Sequence, residues 1–159
     1  MGVNANITRT YARSEKGTRA KCENPITPGA RVSTVGALGV NGLVAEMCYQ
    51  GTMNAIVFRI FIEHILVPVL LPNNIVILDN AKVHYDEDAI AMIETVGAGV
   101  MYLPPYSPEL NPIENIWSKA KSYLKKIPIL DTEHLYNTIA YALNTITPSD
   151  ARNSFIHCL

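Results

Sequence analysis

The strongest constraint on the fold is a run of four aliphatic residues, Ile75-Val76-Ile77-Leu78, that stops at Asp79. The run is too short for a helix and lacks the alternation of a half-exposed strand. It therefore reads as a strand buried on both faces. Such a strand needs sheet neighbours and covering helices, and the flanking sequence supplies both. Residues 31–38 and 43–49 are β-prone and are separated by Asn41-Gly42, a hairpin-turn dipeptide. Residues 54–69 place Ile56, Phe58, Ile60, Phe61, Ile65 and Leu66 at helical spacing and end before Pro72. Residues 86–96 read as a helix with an acidic start, closing near Gly97 and Gly99, and 100–103 as another strand. A helix over about 111–126 tolerates Pro112 in its first turn. A last amphipathic helix spans 131–146, begun by Asp131 or Thr132 and ended by Thr147-Pro148. The order β, β, α, β, α, β, α, α predicts an α/β fold, a mixed sheet flanked by helices.

The 159 residues suit one domain with a real core, and 48% hydrophobic with 17% charged residues is a globular composition. The reading divides it into a basic extended arm or loop (1–30, with at most a short strand), the α/β domain (31–146) and a C-terminal tail (147–159). Cys22, Cys48 and Cys158 are odd in number and widely spaced, which argues against a disulfide framework or a zinc knuckle. No apolar leader is visible, and the apolar stretch 56–71 is broken by Arg59, Glu63, His64 and Pro68, too polar to span a bilayer. No membrane association is expected.

The net charge of −1 is uninformative, but the charge is unevenly spread. Arg9, Arg13, Lys16, Arg19, Lys21 and Arg31 outnumber Glu15 and Glu23 in the first 31 residues. Lys119, Lys121, Lys125 and Lys126 form a second basic cluster. Each cluster reads either as a solvated surface or as phosphate-binding; Arg9, Arg13, Lys16, Arg19, Lys119 and Lys121 are the candidate contacts to a phosphate backbone.

Two carboxylates carry the chemistry. Asp79 ends a strand, at the rim where open α/β sheets place ligands. Glu114 sits at a helix start, where an acidic residue also complements the helix dipole. Alone, each has a bland explanation. Together they bracket 34 residues holding a helix, a strand and a Pro-rich turn, a layout that can return the second carboxylate to the rim beside the first. Two hard oxygen ligands there suit Mg²⁺ or Mn²⁺, and paired ions of this kind serve in-line phosphoryl displacement. No GxxxxGK[ST] loop supports another phosphotransferase, no GxSxG supports a serine hydrolase, and nothing points to a small-molecule substrate.

The segments Leu78-Asp79-Asn80-Ala81-Lys82-Val83-His84 and Tyr102-Leu103-Pro104-Pro105-Tyr106-Ser107-Pro108-Glu109-Leu110-Asn111-Pro112-Ile113-Glu114-Asn115-Ile116-Trp117 resemble the DDE domain of mariner-superfamily transposases and their bacterial insertion-sequence relatives. Residues 8–17 also resemble the family's segment after its first strand. The resemblance implies an RNase H-like fold in which Asp79 and Glu114 are the second and last residues of a catalytic, metal-holding triad. It implies hydrolysis at transposon ends followed by 3′-hydroxyl attack on target DNA. It implies DNA as partner and a cytoplasmic, nucleoid-associated location if the chain is of insertion-sequence type. Asn80, His84 and Asn111 are candidates for supporting the site; Asn80 and His84 read equally as DNA-backbone or loop hydrogen-bonding groups. Tyr106 and Trp117 read as packing residues.

The family's first Asp closes a central strand just before the segment resembling Gly2-Val3-Asn4. None of Glu15, Glu23, Glu46 and Glu63 ends an apolar strand placed to be that one. The expectation is therefore a partial catalytic domain lacking the first strand and first Asp, with weak or absent metal binding and little strand cleavage. Free strand edges would also favour association into homo-oligomers. The alternative is a non-catalytic remnant that binds DNA non-specifically or pairs with intact transposase. No upstream helix-turn-helix is seen, so sequence-specific DNA binding is not expected.

Overall fold

A computed structural model describes residues 1–4, 7, 15–17 and 31–158. Its strands are β1 (Gly2–Asn4), β2 (Arg31–Gly39), β3 (Gly42–Gln50), β4 (Ile75–Leu78) and β5 (Gly99–Tyr102). Its α-helices are α1 (Ala55–Phe61), α2 (Glu87–Thr95), α3 (Ile113–Leu124), α4 (Thr132–Asn144) and α5 (Pro148–Cys158). The long helix expected over 54–69 forms as one irregular run, because α1 passes into a π-helical turn (Ile62–Leu66) and a short 3₁₀ turn (Val67–Val69).

The strands form two sheets. One is antiparallel in the order β1-β2-β3, and the other is the parallel pair β4-β5. The β2–β3 turn is tight: Gly39 already pairs with Gly42, whose φ of 136° suits glycine. The β2–β3 ribbon is covered on both faces. Val32 faces a core built with Ile116, Trp117, Ala120 and Leu124 of α3 and Leu135, Ile139 and Ala142 of α4. Ala45 faces a second core with Phe58, Phe61, Ile62 and Leu66 of the helical run and Ala89 and Ile93 of α2. Period-two alternation along the ribbon separates these sets, as a pleated strand requires.

The β4–β5 pair corrects the expectation of a strand buried on both faces. Leu78 and Val76 pack into the second core, with Val100 and Tyr102 beside them. On the opposite face Ile75, Ile77 and Met101 are 60%, 52% and 53% exposed. Among the described residues no element covers that face, and β4 pairs on one edge only. The sequence pattern registered four aliphatic residues; it could not register what lies over them.

Two further elements fill in what the sequence reading left open, the first being the short strand it allowed in the arm. Residues 2–4, inside the expected arm, form β1, whose Val3 is 2% exposed opposite Val32. Where a tail was expected, residues 148–158 form α5, with Ala151 and Ser154 buried. Its start is a reciprocal cap: Asp150 Oδ2 accepts from Thr147 N (2.8 Å), while Asp150 N donates to Thr147 Oγ1 (3.2 Å). The same Oδ2 takes Lys119 Nζ at 2.6 Å, tying α5 to α3.

The Lys119 ammonium, followed by the Thr147 donors, holds the Asp150 carboxyl at about 2. A folded-state value below the usual carboxylate range contributes stability that is present above pH ~4 and lost as pH falls through ~2. Asp150→Asn is expected to destabilise the domain by about 1–2 kcal/mol at pH 7. Urea titrations should show the gap between variant and parent closing as pH drops from about 4 toward 2. A gap that stays constant with pH would show the carboxylate charge to be irrelevant.

Candidate functional site

Asp79 follows the last residue of β4, and Glu114 is the second residue of α3. Parallel pairing puts Tyr102, the end of β5, opposite Leu78. The chain leaving β5 therefore starts beside Asp79 and runs through Leu103 to Pro108 along one wall of a cleft of about 380 Å³. Pro108–Leu110 makes a 3₁₀ turn, and Asn111 begins the approach to α3 through its carbonyl, which accepts Glu114 N at 3.1 Å. Asp79, Asn80, Asn111 and Glu114 all line this cleft. The pair separated in sequence is thus brought together, whereas Glu46 on β3 and Glu63 in the helical run do not line it.

The Asp79 side chain is about half exposed. Its Oδ1 accepts from His84 Nδ1 (2.7 Å) and from Ala81 N (3.1 Å). The His84 hydrogen bond holds its carboxyl below the usual range, against desolvation, which opposes it. Among the described residues, Oδ2 accepts no hydrogen bond. Glu114 is exposed in the first turn of α3, where backbone N–H groups favour a negative charge. The Met1 ammonium donates to Thr34 O (2.6 Å) and interacts with both Glu114 and Asp79. Partial burial pushes it below the ordinary amino-terminal value.

Asn80 is spent on the loop. Its amide donates to Leu103 O (3.4 Å), and its Oδ1 accepts a short hydrogen bond from Tyr85. The 3₁₀ turn Lys82–Tyr85 carries His84 and Tyr85. The Tyr85 ring stacks on Tyr102 at 4.6 Å and 7°, and Tyr102 Oη donates to His84 O at 2.8 Å. Sequence reading missed Tyr85 and Tyr102. Only the parallel register of β4 with β5 reveals that Tyr102 ends beside Asp79.

Trp117 packs as expected, 4% exposed on α3. Tyr106 does not: it is fully exposed, with a left-handed φ of 58°. The rigid Pro104-Pro105 and Pro108 on either side set the loop's course and turn the ring outward. Of the candidate DNA contacts, Lys119 is paired with Asp150, Lys121 is half-buried on α3 and Lys16 is exposed. Arg9, Arg13 and Arg19 lie outside the described residues. No helix of the described residues is long and apolar enough to cross a membrane.

Two oxygen ligands in one cleft, one with an unclaimed oxygen, fit a hard divalent cation that takes its remaining ligands from water and substrate phosphates. Among the described residues, no group of three or more His, Cys, Asp or Glu is placed to hold a metal ion.

Residues 1–136 match the family described as DDE superfamily endonuclease. No curated protein matches the chain. Among solved structures, the Mos1 mariner paired end complex with Mn is similar over 99% of this chain and 50% of that one, with a TM-score of 0.79 and 16% identity. The Mos1 Strand Transfer Complex gives 0.78 and 16% identity, covering 99% of this chain and 49% of that one. The catalytic domain of Mos1 mariner transposase gives 0.67 and 14% identity, covering 87% and 72%. The chain spans about half the length of the chains in those two complexes. At these identities the likeness shows the fold, the RNase H-like mixed α/β arrangement.

Proposed function

Because the chain belongs to the DDE superfamily endonucleases, we propose that it supplies Asp79 and Glu114 to a metal-dependent site for DNA strand cleavage and strand transfer in transposition. The observation that carries this reading is the convergence of the two carboxylates on one cleft from a strand end and a helix start. The likeness to complexes described as a paired end complex with Mn and a strand transfer complex supports DNA as the partner.

A divalent cation bound there would neutralise charge on a scissile phosphate and help activate the attacking oxygen. The chain's own residues prepare the cleft. His84 and Ala81 N hold Asp79 ionised with Oδ1 fixed. Glu114 is presented by the first turn of a helix anchored through Trp117. The Pro-rich wall 103–108 shapes the side along which a strand would lie. The exposed face of β4–β5 is a surface on which a further segment or a second copy would pack.

The test is paramagnetic. Mn²⁺ is titrated into ¹⁵N-labelled chain and amide broadening is followed by NMR. Binding is expected to be weak, on the order of 10⁻³ M, with the amides of Asp79, Asn80, Ala81 and Glu114 broadened first. Asp79→Asn and Glu114→Gln are each expected to weaken it at least ~10-fold, or 1.4 kcal/mol. Broadening that ignores both substitutions would remove the metal reading.

A further inference from the structure

We infer that His84 is the positioning residue for Asp79: by donating to one carboxylate oxygen it leaves the other turned to the cleft, where a divalent cation would be held. This rests on the metal reading above and goes beyond it by assigning the group that sets the ligand's orientation.

A carboxylate at the start of a loop can rotate about two side-chain bonds, and each accessible rotamer dilutes the one that binds. Here Oδ1 receives two donors, Ala81 N at 3.1 Å and His84 Nδ1 at 2.7 Å, while Oδ2 receives none among the described residues. His84 Nδ1 also lies 3.2 Å from the Asp79 backbone oxygen. Both neighbours of Nδ1 are acceptors at oxygen, so Nδ1 carries the hydrogen and forks it between them. One imidazole thus fixes both the backbone exit from β4 and the turn of the side chain.

His84 is itself held. Its ring packs on Phe58 at 4.7 Å and 41°, and Phe58 is only 2% exposed in the second core. The His84 backbone N–H donates to Ala81 O at 2.9 Å, closing the 3₁₀ turn. The His84 backbone carbonyl accepts from Tyr102 Oη, on the strand next to β4. The ring cannot swing from Asp79 without leaving the core wall. Outer groups of this kind set the orientation of first ligands, and removing them commonly lowers metal affinity about 10–100-fold.

A mere loop-closing hydrogen bond would change stability and nothing else, so the test separates the two roles. His84→Phe keeps a ring against Phe58 and deletes the donor; His84→Asn restores a donor near the position of Nδ1. In the Mn²⁺ titration, His84→Phe is expected to weaken binding at Asp79 by about 10-fold or more while the chain still melts cooperatively. His84→Asn is expected to recover most of that loss. Three-bond couplings of the Asp79 methylene protons, measured without metal, should show one χ1 rotamer in the unsubstituted chain and averaging in His84→Phe. A folded His84→Phe that binds Mn²⁺ as tightly as the parent, or more tightly, overturns the inference and leaves the metal reading standing. Failure of the unsubstituted chain to bind Mn²⁺ at Asp79 overturns the metal reading, and the inference with it. Averaged χ1 couplings in the unsubstituted chain overturn the inference even if no variant folds.

Discussion

A purified polypeptide of these 159 residues is expected to leave supercoiled plasmid uncut in Mg²⁺, within error of buffer alone. Two carboxylates converge on the cleft, and no third acidic side chain of the described residues lines it. In-line displacement with paired cations needs both ions held against a phosphate, and two carboxylates leave that arrangement under-ligated. Loss of outer support alone costs metal sites about 10–100-fold in affinity or activity, so a site held by two carboxylates rather than three should lose at least that much. An added acidic residue ahead of Met1 tests the same expectation from the other side. The Met1 ammonium donates to Thr34 O and interacts electrostatically with both Asp79 and Glu114. Extending the polypeptide with an apolar strand that ends in Asp close to Met1 is expected to restore Mg²⁺-dependent nicking. Asp79→Asn in the extended protein should abolish it. Robust nicking by the 159-residue polypeptide, lost on Asp79→Asn, would show that two carboxylates suffice.

Trp117→Ala is the second large effect, expected to cost about 3–5 kcal/mol. Trp117 is 4% exposed, and its indole lies over Gly36 of β2. A Cβ at Gly36 would come within 3.1 Å of the indole and 3.1 Å of the Ala45 carbonyl, so the ring fills a notch that only glycine leaves. Its removal opens a cavity between α3 and the ribbon that neither backbone can close. A loss of that size is a large share of the 5–15 kcal/mol typical of a domain. Because Trp117 and Glu114 share one side of α3, three residues apart, the residual folded protein should also bind Mn²⁺ less well. Thermal melting with and without Mn²⁺ checks both parts; a variant that melts within a degree or two of the parent would show that the notch is not filled as described.

Much of this was legible from residues alone. The hairpin around Asn41-Gly42, the helices before and after β4, and the strand ending at Asp79 are set by local rules: turn chemistry, helical spacing and a bounded apolar run. The helix caps were equally local, with Asp86 and Asp131 each accepting from the backbone three residues on. The residues of the candidate cleft were also readable, because the 34-residue spacing and the motif around Asn111-Pro112-Ile113-Glu114 are properties of the chain itself.

What tertiary structure decided were relations between distant segments. That Ile75 and Ile77 face outward depends on what covers β4, and no pattern of four aliphatic residues encodes its neighbours. That 148–158 is a helix depends on Lys119 and on α3 as a docking surface, since α5 alone is short and only weakly amphipathic. That Tyr106 points to solvent follows from the course of the loop between β5 and α3. That His84 turns Asp79 rests on Phe58, Tyr85 and Tyr102, from three elements joined only by the fold. The sequence by itself determined the central elements and the carboxylates; the packing of sheet on helix decided the terminal elements and which groups surround the site, because these depend on contacts no local pattern specifies.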